Sequence, residues 1–333
     1  KVLNTSNYTT AHLRKWHLGP ETHGFDLNDT NGLGGGVLAK YYNDIDVAET
    51  LTNRAVQFIA DESENPFFIY LCHWDVHTPI KARPEVVAKY DKKFKSRQWD
   101  YDWNTTYAAM IEAVDTSVGR VYEALRIQGV ADNTLFIFPS DNGGHAGATP
   151  NKPLHGAKGA FYEGGIRVPM FAVWPNTVKA GTICETPITG VDYLPTFAAL
   201  AGAALPKNQP IDGRSIVPLL KGKNALQKRS IFWHYPLYLA GNAYNLVVPI
   251  HGTDTMYWRA TPSSVIRKGD WKLIQYFESN TVELYNLRKD IGESNELSKT
   301  YPEKASALLS ELERWQKKSN AIIPTQINPD FDG

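Results

Sequence analysis

The chain has 333 residues, 42% of them hydrophobic, which is enough to bury one large core or two. Lys plus Arg number 35 and so do Asp plus Glu. That balance excludes the basic excess expected of a nucleic-acid or anionic-membrane binder. No apolar run approaches the ~20 residues of a membrane span, and the distant pair Cys72 and Cys184 excludes a disulfide framework.

The opening KVLNTSNYTTAHLRKWHLG carries no initiator Met, signal peptide or transit peptide. It reads as mid-fold, which predicts further residues upstream of Lys1. Asn-x-Ser/Thr occurs at Asn4, Asn7, Asn28 and Asn104, a pattern too short to argue secretion. Lys15-Trp16-His17 spaces two cations so that an extended backbone puts both on one face. Such a pair clamps an anionic group, or simply sits solvated at the surface.

Residues 46–62 (DVAETLTNRAVQFIADE) have apolar positions at helical spacing and an Asp placed as an N-cap. FFIYLC (67–72) is a continuous apolar run, as in a parallel strand buried on both faces. It leads into His73-Trp74-Asp75-Val76-His77-Thr78-Pro79. His77 there suits a general acid near neutral pH, or a loop histidine bonded to backbone. Tyr107, Ile111, Val114, Val118, Val121 and Leu125 mark the apolar face of a long helix stopped by Gly129.

LFIF (135–138) is the next strand, and it runs into Ser140-Asp141-Asn142-Gly143-Gly144-His145. Asp141 and Asn142 are hard oxygen donors suited to Ca²⁺ or Mg²⁺, in what is also an ordinary turn sequence. Ca²⁺ takes roughly 6–8 oxygens, so these two would form only part of a site. His73 and His145 have no spacing that recommends them. Residues 153–169 (PLHGAKGAFYEGGIRVP) are glycine-rich with one lysine, Lys158, and are not a Walker loop. Glycines admit close backbone approach and a lysine meets an oxyanion, while a flexible surface loop fits the same composition. A strand at 168–174 and a helix at 191–201 follow.

This strand–helix alternation predicts an α/β fold with a mostly parallel sheet covered by helices, whose carboxyl strand ends form the binding crevice. The texture changes after residue 225. Residues 264–277 read as a hairpin broken at Lys-Gly-Asp, 281–287 as a strand, and Pro302–Ser319 as a helix with Leu308, Leu309, Leu312 and Trp315 on one face. Two domains are expected: 1–225, and a small antiparallel α+β subdomain over 226–333.

With these motifs in order, the chain resembles the sulfatase family of the alkaline-phosphatase-like superfamily. TAHLRKWHLG is similar to the family's Gly-Lys-Trp-His-Leu-Gly signature, with Arg14 in place of the first Gly. His77 before a Pro, SDNGG, GAKGAFYEGGIRVP, IDGRSIVPLL and VIRKGDWKLI followed by ELYNLRKDIGESNEL resemble bacterial polysaccharide sulfatases in the same order. The resemblance implies Asp141 and Asn142 as Ca²⁺ ligands, Mg²⁺ being second choice. It implies Lys15 and Lys158 on the sulfate oxygens, His17 in breakdown of the sulfated intermediate, and His77 protonating the leaving alcohol with help from Lys158. It implies a large α/β domain with a small C-terminal antiparallel sheet, and export to the periplasm or beyond.

Two features of the family pattern are missing from this sequence. No Cys or Ser begins a Cys/Ser-x-Pro/Ala-x-Arg motif, the precursor of the expected formylglycine, and no Asp-Asp pair occurs. A missing N-terminal segment or a second chain would complete the active site. The function expected is hydrolysis of sulfate esters on a sulfated carbohydrate. The alternatives are an inactive relative that binds sulfated glycans, or a phosphate or phosphonate ester hydrolase of the same superfamily. The aromatic-rich segment 232–259 lines a sugar subsite or packs the subdomain junction, and His234 is its candidate substrate contact.

Overall fold

A computed structural model describes residues 1–15, 23–28, 44–96, 98, 103–223, 226, 228–242, 248–249, 256–326 and 328–329. The chain divides into two compact units, Lys1–Phe138 with Phe171–Leu226, and Pro139–Met170 with Gln227–Gly333. Pro139–Met170 thus groups with the residues after 227 and not with its sequence neighbours.

In the first unit, β1 (Thr9–Arg14) lies between β2 (Leu27–Asn28) and β3 (Phe67–Cys72), parallel to both. β1 is the doubly buried strand, although it reads TTAHLR. Thr10, Ala11, His12 and Leu13 are all buried. Its polar groups are satisfied inside: Thr10 donates to Asp26 Oδ2 from its amide at 2.8 Å and its hydroxyl at 2.9 Å. His12 Nδ1 lies 3.1 Å from Asn28 Oδ1. Burial holds the His12 pKa below its usual value, with the Asn28 bond opposing. The expectation that FFIYLC is buried on both faces is corrected. β3 ends the row of described strands, and Tyr70 is 52% exposed.

Helix α1 (Val47–Glu62) buries Val47, Ala48, Leu51, Thr52, Ala55, Phe58 and Ile59 along one face. It starts after Asp46 as expected, but Asp46 makes no cap bond, because its carboxylate accepts from Arg83 Nε at 2.6 Å. Helix α2 (Pro84–Lys95) buries no residue. Helix α3 (Thr105–Ile127) is capped by Asn104, whose side chain accepts from the Tyr107 amide at 2.9 Å. Val121 and Leu125 of the expected face are buried, together with Ala109, Met110, Ser117 and Ala124, whereas Ile111 is 49% exposed. Small residues let α3 sit close to α1, and hydrophobicity alone passes over them. Leu13, Ala55, Ile59, Val121, Ala124 and Leu125 form one core.

Strands β4 (Phe136–Pro139) and β5 (Met170–Val173) pair with each other. Short helix α4 (Glu163–Ile166) lies between them in sequence, and α5 (Tyr193–Ala201) follows. A capping box at Thr189 and Asp192 introduces α5. The fully buried Asp192 also accepts from the Arg214 amide at 2.8 Å, so the IDGRS stretch is a brace for that turn. Helix α6 (Val217–Leu220) ends the first unit's elements.

The second unit is built on a four-stranded antiparallel sheet in the order β12 (Thr281–Asn286), β11 (Trp271–Tyr276), β10 (Ser263–Lys268), β6 (Ser230–Tyr235). The expected hairpin is β10–β11, closed at Lys268 and Trp271 around Gly269, whose φ is +60°. β6 was not foreseen as a strand. Strand alternation sends neighbouring residues to opposite faces. Ile266, Leu273 and Leu284 pack under helix α7 (Pro302–Ser319) with Leu308 and Leu312. Val265, Ile274 and Tyr285 face the other way and pack against Phe161 and Tyr162. Those two aromatics are why Pro139–Met170 belongs to this unit. Strands β7 (Leu239–Asn242), β8 (Val248–Pro249) and β9 (Met256–Ala260) form a further small antiparallel sheet.

Candidate active site

The first unit brings Lys15 and His77 to one aromatic ring. β1 and β3 run side by side, and the Lys15 amide donates to the Cys72 carbonyl at 3.3 Å just past their carboxyl ends. Lys15 Nζ lies 5.4 Å from the Trp74 ring centroid, a cation–π distance. The His77 ring sits 5.6 Å from the same indole on an edge-on path. His77 Nδ1 is 2.9 Å from the Thr78 carbonyl. Trp16 and His17 lie outside the described residues.

Two neighbours of His77 titrate abnormally. Burial pushes His73 down from 6.5 to about 4, and its Nε2 lies 3.1 Å from Ser117 Oγ. Burial first, and the charge of Asp44 second, push Asp75 up from 3.8 to about 6.

The second unit carries the other candidates on one stitched scaffold. After β4, the Ser140 amide donates to the Pro169 carbonyl at 3.1 Å, and the Gly143 amide to the Gly165 carbonyl at 2.9 Å. The Lys158 amide donates to the Gly144 carbonyl at 3.0 Å, so SDNGG and the Lys158 loop are direct partners. Only glycine fits this approach: a Cβ on Gly143 would lie 1.7 Å from the Gly164 oxygen. Asn142 Nδ2 donates to the Gly143 carbonyl at 2.9 Å, leaving its amide oxygen for a ligand. Among the described residues, the exposed Asp141 carboxylate and the Lys158 ammonium have no hydrogen bond or ion pair.

Those two oxygens suit a hard divalent cation by donor chemistry. They are a partial fit only, since among the described residues no group of three or more His, Cys, Asp or Glu could hold a metal ion. His145 accepts from the Gly147 amide at 3.1 Å through Nδ1. His234, on β6, has both ring nitrogens engaged: Nδ1 with Ser264 Oγ at 2.7 Å and Nε2 with the Ile322 carbonyl at 3.0 Å. A sugar contact from His234 would have to replace the Ile322 bond. Its neighbour Phe232 stacks on Trp315 at 4.8 Å, and much of the remaining aromatic-rich segment lies outside the described residues.

Sequence reasoning missed a buried ion cluster behind the Lys158 loop. Lys272 Nζ lies 3.2 Å from Glu163 Oε1 and 2.7 Å from Glu293 Oε1, all three side chains being essentially inaccessible. Glu293 Oε2 accepts from the Glu163 amide at 2.6 Å. Burial raises the Glu293 pKa and Lys272 opposes the rise. The only sequence signal was a lysine inside the apolar strand WKLI.

A parallel α/β unit and a unit built on an antiparallel sheet define an alkaline-phosphatase-like architecture. The family model described as Sulfatase matches residues 1–203. A second, described as N-sulphoglucosamine sulphohydrolase, C-terminal, matches residues 155–318, beginning inside the Lys158 loop. The chain belongs to the sulfatase family.

It is 34% identical over 304 residues to a sulfatase of Formosa agariphila, covering 84% of this chain and 52% of that protein. It is 33% identical over 224 residues to human steryl-sulfatase, covering 64% of this chain and 36% of that protein. The chain therefore spans about half the length, or less, of these curated relatives. Among solved structures it is similar to Ps i-CgsB, with a TM-score of 0.75 and 29% identity over 95% of this chain and 73% of that one. A second structure of that protein, in complex with k-i-k-neocarrahexaose, has a TM-score of 0.74 at 30% identity, with the same coverage.

Proposed function

We propose that this protein is a sulfuric ester hydrolase acting on a sulfated carbohydrate. The observation that carries the reading is the scaffold on which Lys158 bonds the Gly144 carbonyl at 3.0 Å, beside Asp141 and Asn142. It offers a cation with no ion pair among the described residues and two hard oxygens on adjoining loops, groups that suit an anionic sulfate ester beside a divalent cation. Lys158 binds the sulfate oxygens and stabilises charge as it shifts onto them, and the family pattern gives Lys15 a role on the same oxygens. His77, with help from Lys158, delivers a proton to the leaving alcohol, as in the family pattern. His17 assists breakdown of the sulfated intermediate, as in the family pattern. Asp141 and Asn142 would hold Ca²⁺, or less favourably Mg²⁺, which neutralises charge on the sulfate when bound. Formylglycine is expected for the family, and no precursor motif occurs in this sequence.

A carbohydrate substrate is supported by the similarity to Ps i-CgsB, which has been solved with a neocarrahexaose. The family's bacterial members support a periplasmic or secreted location. Among the described residues, no helix is long and apolar enough to cross a membrane.

The test is sulfate release from sulfated polysaccharides and 4-nitrophenyl sulfate by full-length protein, with Ca²⁺ and after chelation. Release that chelation abolishes and Ca²⁺ restores is the expected result. No release from any sulfate ester by protein with verified formylglycine would overturn it. Binding without turnover would then identify an inactive relative, and turnover of 4-nitrophenyl phosphate a phosphoesterase.

A further inference from the structure

We propose that Lys272 is a positioning residue: from the C-terminal sheet it fixes, through Glu163 and Glu293, the loop that carries Lys158 and the Asp141–Asn142 turn bonded to it. The role assigned to Lys158 rests on the sulfate-ester reading above.

Lys272 is fully buried in the middle of β11, on the face that Ile274 and Tyr276 share. That face packs against Phe161 and Tyr162 of the Lys158 loop. A buried ammonium is tolerated only when paired, and here both partners belong to the loop's anchorage. Glu163 is the residue after Tyr162, and Glu293 also accepts from the Glu163 amide at 2.6 Å. Arg167 and Arg267 approach the outer oxygen of Glu163 at 3.4 and 3.6 Å, so that carboxylate is held from both ends. Next to it, Glu283 Oε2 accepts from the hydroxyls of Tyr162 at 2.8 Å, Tyr276 at 3.0 Å and Tyr285 at 3.1 Å. Two consecutive loop residues, Tyr162 and Glu163, are therefore clamped on the sheet by two carboxylates.

The clamp reaches the candidate site with little slack. The Gly164 amide donates to the His155 carbonyl at 2.6 Å, closing the loop around Lys158. Gly165 accepts from Gly143 at 2.9 Å, and Gly144 accepts from Lys158 at 3.0 Å. At Gly164 and Gly165 an added Cβ would lie 2.3 Å and 2.0 Å from backbone oxygens. Backbone packed on backbone does not absorb a shift of Glu163, so it passes to Lys158 and to Asp141–Asn142 together.

The test compares Lys272→Met and Lys272→Arg in the full-length protein, each alone and combined with Lys158→Ala. Hydrogen exchange over residues 156–166, and kcat and KM for 4-nitrophenyl sulfate at varied Ca²⁺, are the measurements. Lys272→Met is expected to speed exchange in 156–166 while α7 stays protected. It is expected to lower kcat/KM about a hundredfold, as small misplacements of binding groups do. It should also raise the Ca²⁺ needed for half-maximal rate, and Lys272→Arg should recover part of both. In the Lys158→Ala background the same substitution should cost less than about threefold, because coupled residues are not additive. Unchanged exchange in 156–166, or an equal loss in both backgrounds, overturns the proposal and leaves Lys272 a stability residue. If Lys272→Met does not fold, Glu293→Gln, which keeps an acceptor for the Glu163 amide, is read the same way. If wild-type protein with verified formylglycine releases no sulfate, the sulfate-ester reading fails, and loop exchange still decides the positioning.

Discussion

Lys158 is held by its backbone: the amide bonds Gly144, and the ammonium has no partner among the described residues. Lys158→Ala should therefore keep the fold and lower kcat/KM for sulfate esters by about 10²–10³, the usual loss for one oxyanion donor. Steady-state kinetics with a thermal melt checks both halves, and a lowered melting temperature would contradict the first. His73 and Asp75 give a second prediction. The His73 pKa is depressed in the fold, so its contribution to stability is present above 6.5 and lost as pH falls to about 4. The Asp75 pKa is raised, so its contribution is present below 3.8 and lost as pH rises to about 6. The two oppose each other over a shared window. Urea midpoints from pH 4 to 6.5 should fall more steeply toward acid for Asp75→Asn than for wild type, and less steeply for His73→Gln. Asp141 and Asn142 were legible as hard donors from composition alone. Their bonding through Gly144 to a lysine distant in sequence was not, since no local pattern encodes a contact between two loops.

Among the elements, helix α3 shows where periodicity misleads. Ile111 sits at helical spacing with its apolar neighbours yet is 49% exposed, while Ala124 is buried at 7%. Ile111→Ser should change stability by no more than about 0.5 kcal/mol. Ala124→Leu should cost about 1–3 kcal/mol by overpacking the core it shares with Ala55 and Ile59. Denaturant titration of the pair distinguishes the two faces. The glycine turn gives a sharper case: Gly143→Ala puts its methyl 1.7 Å from the Gly164 oxygen, so the SDNGG turn must move. Loss of Ca²⁺-dependent activity with little change in the C-terminal sheet's exchange is the expected result. Strands β1 and β3 carry the same lesson, because the apolar FFIYLC is partly exposed while Thr10 and His12 of TTAHLR are buried. Position in the sheet decides burial, and Asp26 and Asn28 make it tolerable for Thr10 and His12.

Across the whole molecule, the C-terminal sheet is covered on both faces, by α7 on one and by the Lys158 loop on the other. Leu312→Ala, at a fully buried position under that sheet, should cost about 2–5 kcal/mol in a urea titration. The sheet is thus a support for the loop as well as a fold in its own right, which is why the Lys158 loop groups with residues after 227 and not with its sequence neighbours.

Amino-acid order alone was sufficient for the fold class, the β10–β11 hairpin, the helix Pro302–Ser319 and the sulfatase family. Each of these rests on local periodicity, turn chemistry or contiguous motifs. The tertiary structure alone decided which strand is buried, which positions of α3 pack inward, that Trp74 joins Lys15 to His77, and that Lys272 is buried between Glu163 and Glu293. Those outcomes depend on contacts between residues far apart in the chain, and on the cost of burying charge, neither of which a local pattern carries.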